Sequence, residues 1–122
     1  MTTHKAIHIA AALLASAAIG SIHAAKLNVM TTTEDLAALA REVGGDRINV
    51  DSIAKGYQDP HFVEPKPSFL LKLQKADLLA VVGLQLEIGW LPPLQTQSRN
   101  GKIQVGGKGF CSGFTYSEPF SI

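Results

Sequence analysis

Apolar and polar positions change period several times along the chain, and the changes mark its elements. Lys26-Leu27-Asn28-Val29-Met30-Thr31-Thr32, with apolar side chains at Leu27 and Val29, reads as a first β-strand. Thr33 stands where a helix cap would, and Glu34 and Asp35 follow in the first turn, where negative charge suits the positive end of the helix dipole. Leu36, Leu39, Ala40 and Val43 recur at i, i+3, i+4 and i+7, which predicts one apolar stripe, and Gly44-Gly45 predicts a stop through a left-handed cap. Residues 48–53 are rich in β-branched side chains and read as a second strand. Strand, helix, strand predicts parallel pairing through a right-handed crossover.

Further on, Ser68 is expected to cap a second helix over residues 69–75 that turns Phe69, Leu70 and Leu73 toward the sheet. Asp77-Leu78-Leu79-Ala80-Val81-Val82 is an unbroken apolar run closed by Gly83, the pattern of a strand buried on both faces. The order becomes βαβαβ, so the expected fold class is α/β with an open parallel sheet: three strands and two covering helices. Residues 84–88 are expected to form a loop at the carboxyl edge. Trp90-Leu91 should start a short helical piece that Pro92-Pro93 interrupts, and residues 94–100 could resume a turn or two.

Between the second strand and the second helix lies Gly56-Tyr57-Gln58-Asp59-Pro60-His61-Phe62-Val63-Glu64-Pro65-Lys66-Pro67. Its three prolines remove backbone donors and push their preceding residues toward extended geometry, so neither helix nor inner strand can run through it. The result is a stiff loop at the carboxyl end of a strand, the edge at which open α/β sheets bind ligands. His61 is therefore the candidate metal ligand, because a neutral imidazole suits zinc and several other divalent ions. Asp59 and Glu64 are nearby carboxylates, but Pro60 and Pro65 exclude the helical geometry that would align them with His61. Zinc ordinarily takes four ligands, or three and water, so one histidine is not a complete site.

The start of the chain changes the count of such candidates. Lys5 precedes a mostly apolar stretch over residues 6–19, and Gly20-Ser21-Ile22-His23-Ala24-Ala25 ends in small residues, so residues 1–24 are expected to be a cleaved signal peptide. The stretch is shorter than the roughly 20 apolar residues of a spanning helix. The chain carries 11 basic and 10 acidic residues, and loss of Lys5 would leave the exported part neutral. Neutrality gives no electrostatic case for nucleic acid or an anionic membrane. His4, His8 and His23 would leave as well, so His61 would be the one histidine of the exported protein. Cys111 has no partner for an internal disulfide, and no cysteine near the cleavage site could accept a lipid.

Four segments in order, Leu27-Asn28-Val29-Met30-Thr31-Thr32-Thr33-Glu34-Asp35-Leu36, Val43-Gly44-Gly45-Asp46, Gly56 through the Asp59-Pro60-His61 turn to Pro65, and Lys75-Ala76-Asp77-Leu78-Leu79, resemble the start of the periplasmic zinc/manganese-binding proteins of metal ABC transporters, the cluster A-I solute-binding family. The resemblance covers residues 26–104. It implies a two-lobed protein with the metal clasped between α/β lobes joined by a long helix, of which this chain would hold a partial N-terminal lobe over residues 25–104. It implies His61 as the first metal ligand, with further histidines and carboxylates supplied by later segments that we expect this chain to lack. The implied cargo is Zn2+, with Mn2+ as the alternative, and the implied partner is the permease of the inner membrane, served by a monomeric periplasmic subunit that is not an enzyme.

Residues 105–122 depart from that pattern: glycine- and aromatic-rich, they carry Cys111, and a frameshift is the expected origin of this atypical tail. Gly106-Gly107-Lys108-Gly109 has no Ser or Thr after the lysine and is not a phosphate loop. Trp90 is expected to pack rather than stack on a ligand. Marginal stability and weak metal binding follow from an incomplete sheet and ligand set. Two other functions compete: a small secreted metal-dependent hydrolase using His61 and Asp59, which would need an open metal position and a general base, and an adhesin-like surface module.

Overall fold

The computed structural model describes residues 24–114. The expected signal peptide, apart from Ala24, and residues 115–122 of the expected tail lie outside them. Four strands, β1 (Leu27–Thr31), β2 (Ile48–Ser52), β3 (Leu78–Val81) and β4 (Phe110–Ser112), form one sheet in the order β2-β1-β3-β4, with every pairing parallel. Helices α1 (Glu34–Gly44), α2 (Pro67–Gln74) and α3 (Leu91–Gln97) occupy the three crossovers. Among the described residues no helix is long and apolar enough to cross a membrane.

The α/β class and the parallel sheet are as expected, and β4 adds a strand from the stretch set apart as atypical. It pairs Leu79 with Phe110 and Val81 with Ser112, so the sheet continues past residue 104. The glycines before it serve close packing: a Cβ on Gly109 would collide with the Asp77 carbonyl oxygen.

Register assigns the two sheet faces. Met30, Leu79 and Phe110 are aligned across β1, β3 and β4, and Val81 lies on the same side by the two-residue period. These side chains join Leu73 and Ala76 around α2, Leu91 and Leu94 of α3, and Ile53, Ala54, Val63, Trp90 and Ile103 of the connections in one apolar core. Val29, Thr31, Leu78, Ala80 and Cys111 share the other face. Only part of that face is closed: Val29 and Thr31 are buried, whereas Leu78 and Ala80 are half-buried and Cys111 is exposed. β3 is thus not the strand buried on both sides that its apolar run predicts, because α1 packs over β1 and β2.

α1 corrects a second expectation. Thr33 does cap it, its hydroxyl accepting from the Leu36 N–H at 3.4 Å, and Gly45 ends it at φ +50° with its N–H donating to the Arg41 carbonyl. Yet Leu39 and Val43 of the expected stripe are 63% and 90% exposed, while Ala37 is fully buried. Ala37, Ala40 and Gly44 lie on the packed side, and a Cβ on Gly44 would strike the Ile48 side chain. Close approach of helix and sheet selects the small residues there; Leu36 is half-buried, and Leu39 and Val43 face out.

The prolines of α2 and α3 also act differently. Pro67 occupies the first turn of α2 with Lys66 at its cap position, so Ser68 lies inside the helix and does not cap it. Pro92 and Pro93 fall in the first turn of α3, where no intrahelical N–H bond is lost, so they open the helix and do not interrupt it. Asn100 closes the far end of α2: its side-chain amide donates to the carbonyls of Leu73 at 2.9 Å and Ala76 at 2.7 Å.

A charged network joins α1, β2 and α2. Glu34 accepts from the Ser52 hydroxyl, Lys55 Nζ lies 3.5 Å from Glu34 and 3.1 Å from Asp51, and Lys72 pairs with the second Asp51 oxygen. The Ser52 hydroxyl holds the Glu34 carboxyl below its usual range, with Lys55 adding to it. At Asp51 partial burial opposes ionisation, but hydrogen bonds from Lys72 and Lys55 outweigh it and the net shift is also downward.

A carboxyl whose pKa is lower folded than unfolded stabilises the fold above the ordinary carboxylate range and loses that contribution as pH falls through the lowered value. Acidification below about pH 4 should therefore weaken the fold, and Asp51→Asn should lower stability near neutrality while flattening this acid limb; solvated pairs of this kind are worth about 0.2–1 kcal/mol. Urea melts across a pH series check both. Gly109→Ala should cost about 1–3 kcal/mol in the same assay, because the added methyl has backbone on its far side.

Candidate metal centre

The sheet order places a switch point between β1 and β3, since the chain leaves β1 toward β2 and returns to the other side of β1 as β3. Two loops rise from the carboxyl edge there: residues 53–66 after β2, and residues 82–90 after β3. The first carries His61.

Its stiffness has four identifiable sources. Lys55 and Gln58 close its entry reciprocally, the Gln58 N–H donating to the Lys55 carbonyl and the Lys55 N–H to the Gln58 side chain, both at 2.8 Å. The Phe62 N–H donates to the Asp59 carbonyl at 3.1 Å, folding residues 59–62 into a turn with Pro60 at its second position, where its fixed φ fits. Trp90, 2% exposed, reaches from the second loop and donates its indole N–H to the Pro60 carbonyl at 2.8 Å. Val63 is buried in the core and pins the exit.

Within that turn the Asp59 carboxylate accepts twice on one oxygen, from the His61 backbone N–H at 2.9 Å and from ring Nδ1 at 2.8 Å. The backbone hydrogen bond first, then the ring, hold the Asp59 carboxyl below its usual range. Residues that proline keeps out of helical alignment are thus brought together by a turn. The His61 side chain stays 60% exposed, and Nε2 has no hydrogen-bond partner among the described residues. With Phe62, Val63, Glu64, Gly89 and Trp90 it lines an open concavity of about 490 Å³. Glu64 shares this lining but makes no hydrogen bond to His61 among the described residues. A smaller cavity of about 230 Å³ lies beside β1, β2 and α2, where Asp51 is already paired with Lys72.

The second loop is held by a residue that no motif marks. Glu87 is 4% exposed; its Oε1 accepts from the Thr32 hydroxyl at 2.5 Å and the Val82 N–H at 2.7 Å, and its Oε2 from the Gly83 N–H at 3.2 Å. Its carboxylate ties the end of β1 to the end of β3 across the switch point. In the chain it is one acid among Leu84, Gln85, Leu86 and Ile88, and only its isolation in an apolar stretch hints at burial. Leu84 and Gln85 take positive φ, 53° and 67°, to turn the backbone around it.

Of the side chains that line this concavity, His61 and Glu64 carry groups that could bind a metal. Among the described residues no group of three or more His, Cys, Asp or Glu side chains is placed to hold an ion. Among those residues, too, no buried side-chain nitrogen or oxygen lacks a hydrogen-bond partner. Cys111 lies exposed on the sheet face and takes no part in the edge.

An open parallel sheet with a stiffened, histidine-bearing loop beside its switch point is an α/β lobe with the edge at which such sheets bind ligands. The zinc-uptake complex component A periplasmic family, ZnuA, matches residues 29–112, more than half of the chain, and the chain belongs to that family. The match runs through β4, eight residues past the point at which the motif resemblance stops. The manganese ABC transporter substrate-binding lipoprotein scaA of Streptococcus gordonii is 44% identical over 64 residues, which is 52% of this chain and 21% of that protein. The substrate-binding lipoprotein PsaA of Streptococcus pneumoniae is 42% identical over the same length. This chain therefore spans about a fifth of the curated relatives it matches. A crystal structure of ZnuA shares the fold at TM-score 0.56 and 24% identity, covering 71% of this chain and 31% of that one. A zinc-bound ZnuA deletion mutant is 29% identical at TM-score 0.57, covering 62% of this chain and 29% of that one.

Removing the Glu87 carboxylate would orphan two backbone donors and a buried hydroxyl. Glu87→Ala should destabilise the fold by about 2–5 kcal/mol, several times the effect of Asp51→Asn. A double-mutant cycle of Glu87→Gln with Thr32→Val, read by urea unfolding, should give a coupling of about 0.5–3 kcal/mol.

Proposed function

We propose that this chain is metal-capturing lobe material of a zinc uptake system, with manganese as the alternative cargo. His61 supplies one imidazole ligand, and the ion is passed to an ABC permease without bond chemistry. The observation that carries the reading is the placement of His61: inside the family-matched segment, on a proline-stiffened turn at the carboxyl edge, ring exposed and one nitrogen unengaged. Relatives named for manganese and a family named for zinc support both ions, and imidazole chemistry favours zinc for this ligand.

The proposal includes export to the periplasm through the leader at residues 1–24, with no cysteine at the cleavage site to carry a lipid. It also includes action as a monomer and not as an enzyme. A hydrolase using His61 and Asp59 would need Asp59 free to act as a base or ligand, whereas one of its oxygens is already engaged by the His61 backbone and ring.

Isothermal titration with zinc and with manganese, on the chain and on His61→Ala, tests this. A single histidine fills one of about four positions on zinc, so the expected result is one-to-one binding weaker than about 1 μM that His61→Ala abolishes. Zinc binding that His61→Ala leaves unchanged would overturn it.

A further inference from the structure

We propose that Asp59 is a positioning residue that fixes the His61 ring in its Nδ1–H form and so assigns Nε2 as the atom presented to the metal. The inference deepens the function proposed above and rests on it for the identity of the ligand.

An ionised carboxylate can only accept, so the nitrogen 2.8 Å from Asp59 Oδ1 must carry the proton. In a neutral imidazole the other nitrogen then holds the lone pair, and that nitrogen is Nε2. A metal takes the lone pair, and a carboxylate on the opposite nitrogen both orients the ring and makes the coordinating nitrogen more basic.

The same Asp59 oxygen also accepts from the His61 backbone N–H at 2.9 Å. One atom therefore fixes both the main chain and the ring of the same residue, removing freedom about the side-chain torsions that a 60% exposed histidine would otherwise keep. Asp59 is itself held by the turn that its carbonyl closes with the Phe62 N–H, and the carbonyl of the intervening Pro60 is anchored by Trp90. Ring orientation is thus referred back to the core through a short chain of hydrogen bonds, none of which involves a metal. The hold exists before an ion arrives.

Long-range proton–nitrogen NMR of the metal-free chain reads the tautomer directly, with the His61 signals assigned by their loss in His61→Ala. At a pH where the ring is neutral, the expected spectrum has a protonated Nδ1 and an unprotonated Nε2. Asp59→Ala should move the population toward the Nε2–H form and weaken zinc binding about 10–100-fold, and Asp59→Asn, which keeps an acceptor oxygen in place, should restore most of both. An Nε2–H ring in the wild-type chain, a tautomer that Asp59→Ala does not change, or an unchanged zinc affinity in Asp59→Ala would each overturn the proposal. The tautomer is measured without metal, so failure of His61 as a ligand, seen as zinc binding indifferent to His61→Ala, is distinguishable from failure of the Asp59 hold.

Discussion

Everything at the carboxyl edge of this sheet depends on where the Glu87 carboxylate goes. A parallel strand ends with backbone N–H groups that the ladder no longer serves, and at a switch point the neighbouring strand turns away in the opposite direction. Glu87 takes the Val82 and Gly83 N–H groups from the end of β3 and the Thr32 hydroxyl from the end of β1. A buried carboxylate is costly unless its oxygens are filled, and three donors fill this one. The loop that carries Glu87 also carries Trp90, whose indole fixes the Pro60 carbonyl in the other loop. The position of His61 is therefore set twice, by prolines and a turn within its own segment and by a bond from a loop whose shape the buried acid maintains.

The two halves of the structure were legible to different degrees, and the reason lies in what each depends on. The first strands, the Thr33 cap, the glycine stop and the stiffness of the Pro60–His61 turn follow from local backbone chemistry, which residue type reports directly. The side of α1 that packs is a tertiary matter. Periodicity favoured Leu39 and Val43, but a helix lying close on a sheet needs small side chains beneath it, and Ala37 wins that place. β4 was illegible for a similar reason: Phe110-Cys111-Ser112 is too short to announce a strand, and the glycines before it read as a loop until Gly109 is seen against the Asp77 carbonyl.

At the site the division is the same. His61 stands out because histidine between prolines is rare chemistry in a stiff setting. Asp59 is harder to read: proline does forbid helical alignment with His61, but a turn brings residues two apart into closer contact than a helix would. Glu87 left almost no mark, since a single acid in a loop is most often solvated and only the fold shows what surrounds it.

The arrangement bears on how His61 would serve in the metal role proposed for it. Ordering a flexible side chain when a ligand arrives subtracts from the affinity of every contact it makes, whereas ordering it during folding does not. Here the turn, the indole bond and the buried Val63 place the His61 backbone, and the Asp59 carboxylate places the ring. What remains at the edge is an exposed, oriented nitrogen with an open concavity of about 490 Å³ beside it. Such an edge adds little affinity alone, because most of a zinc ion's coordination positions would still be filled by water. Its contribution is geometric: any surface that brings donors to this face meets an imidazole already fixed in direction, and the energy of binding there would not be spent on ordering the loop.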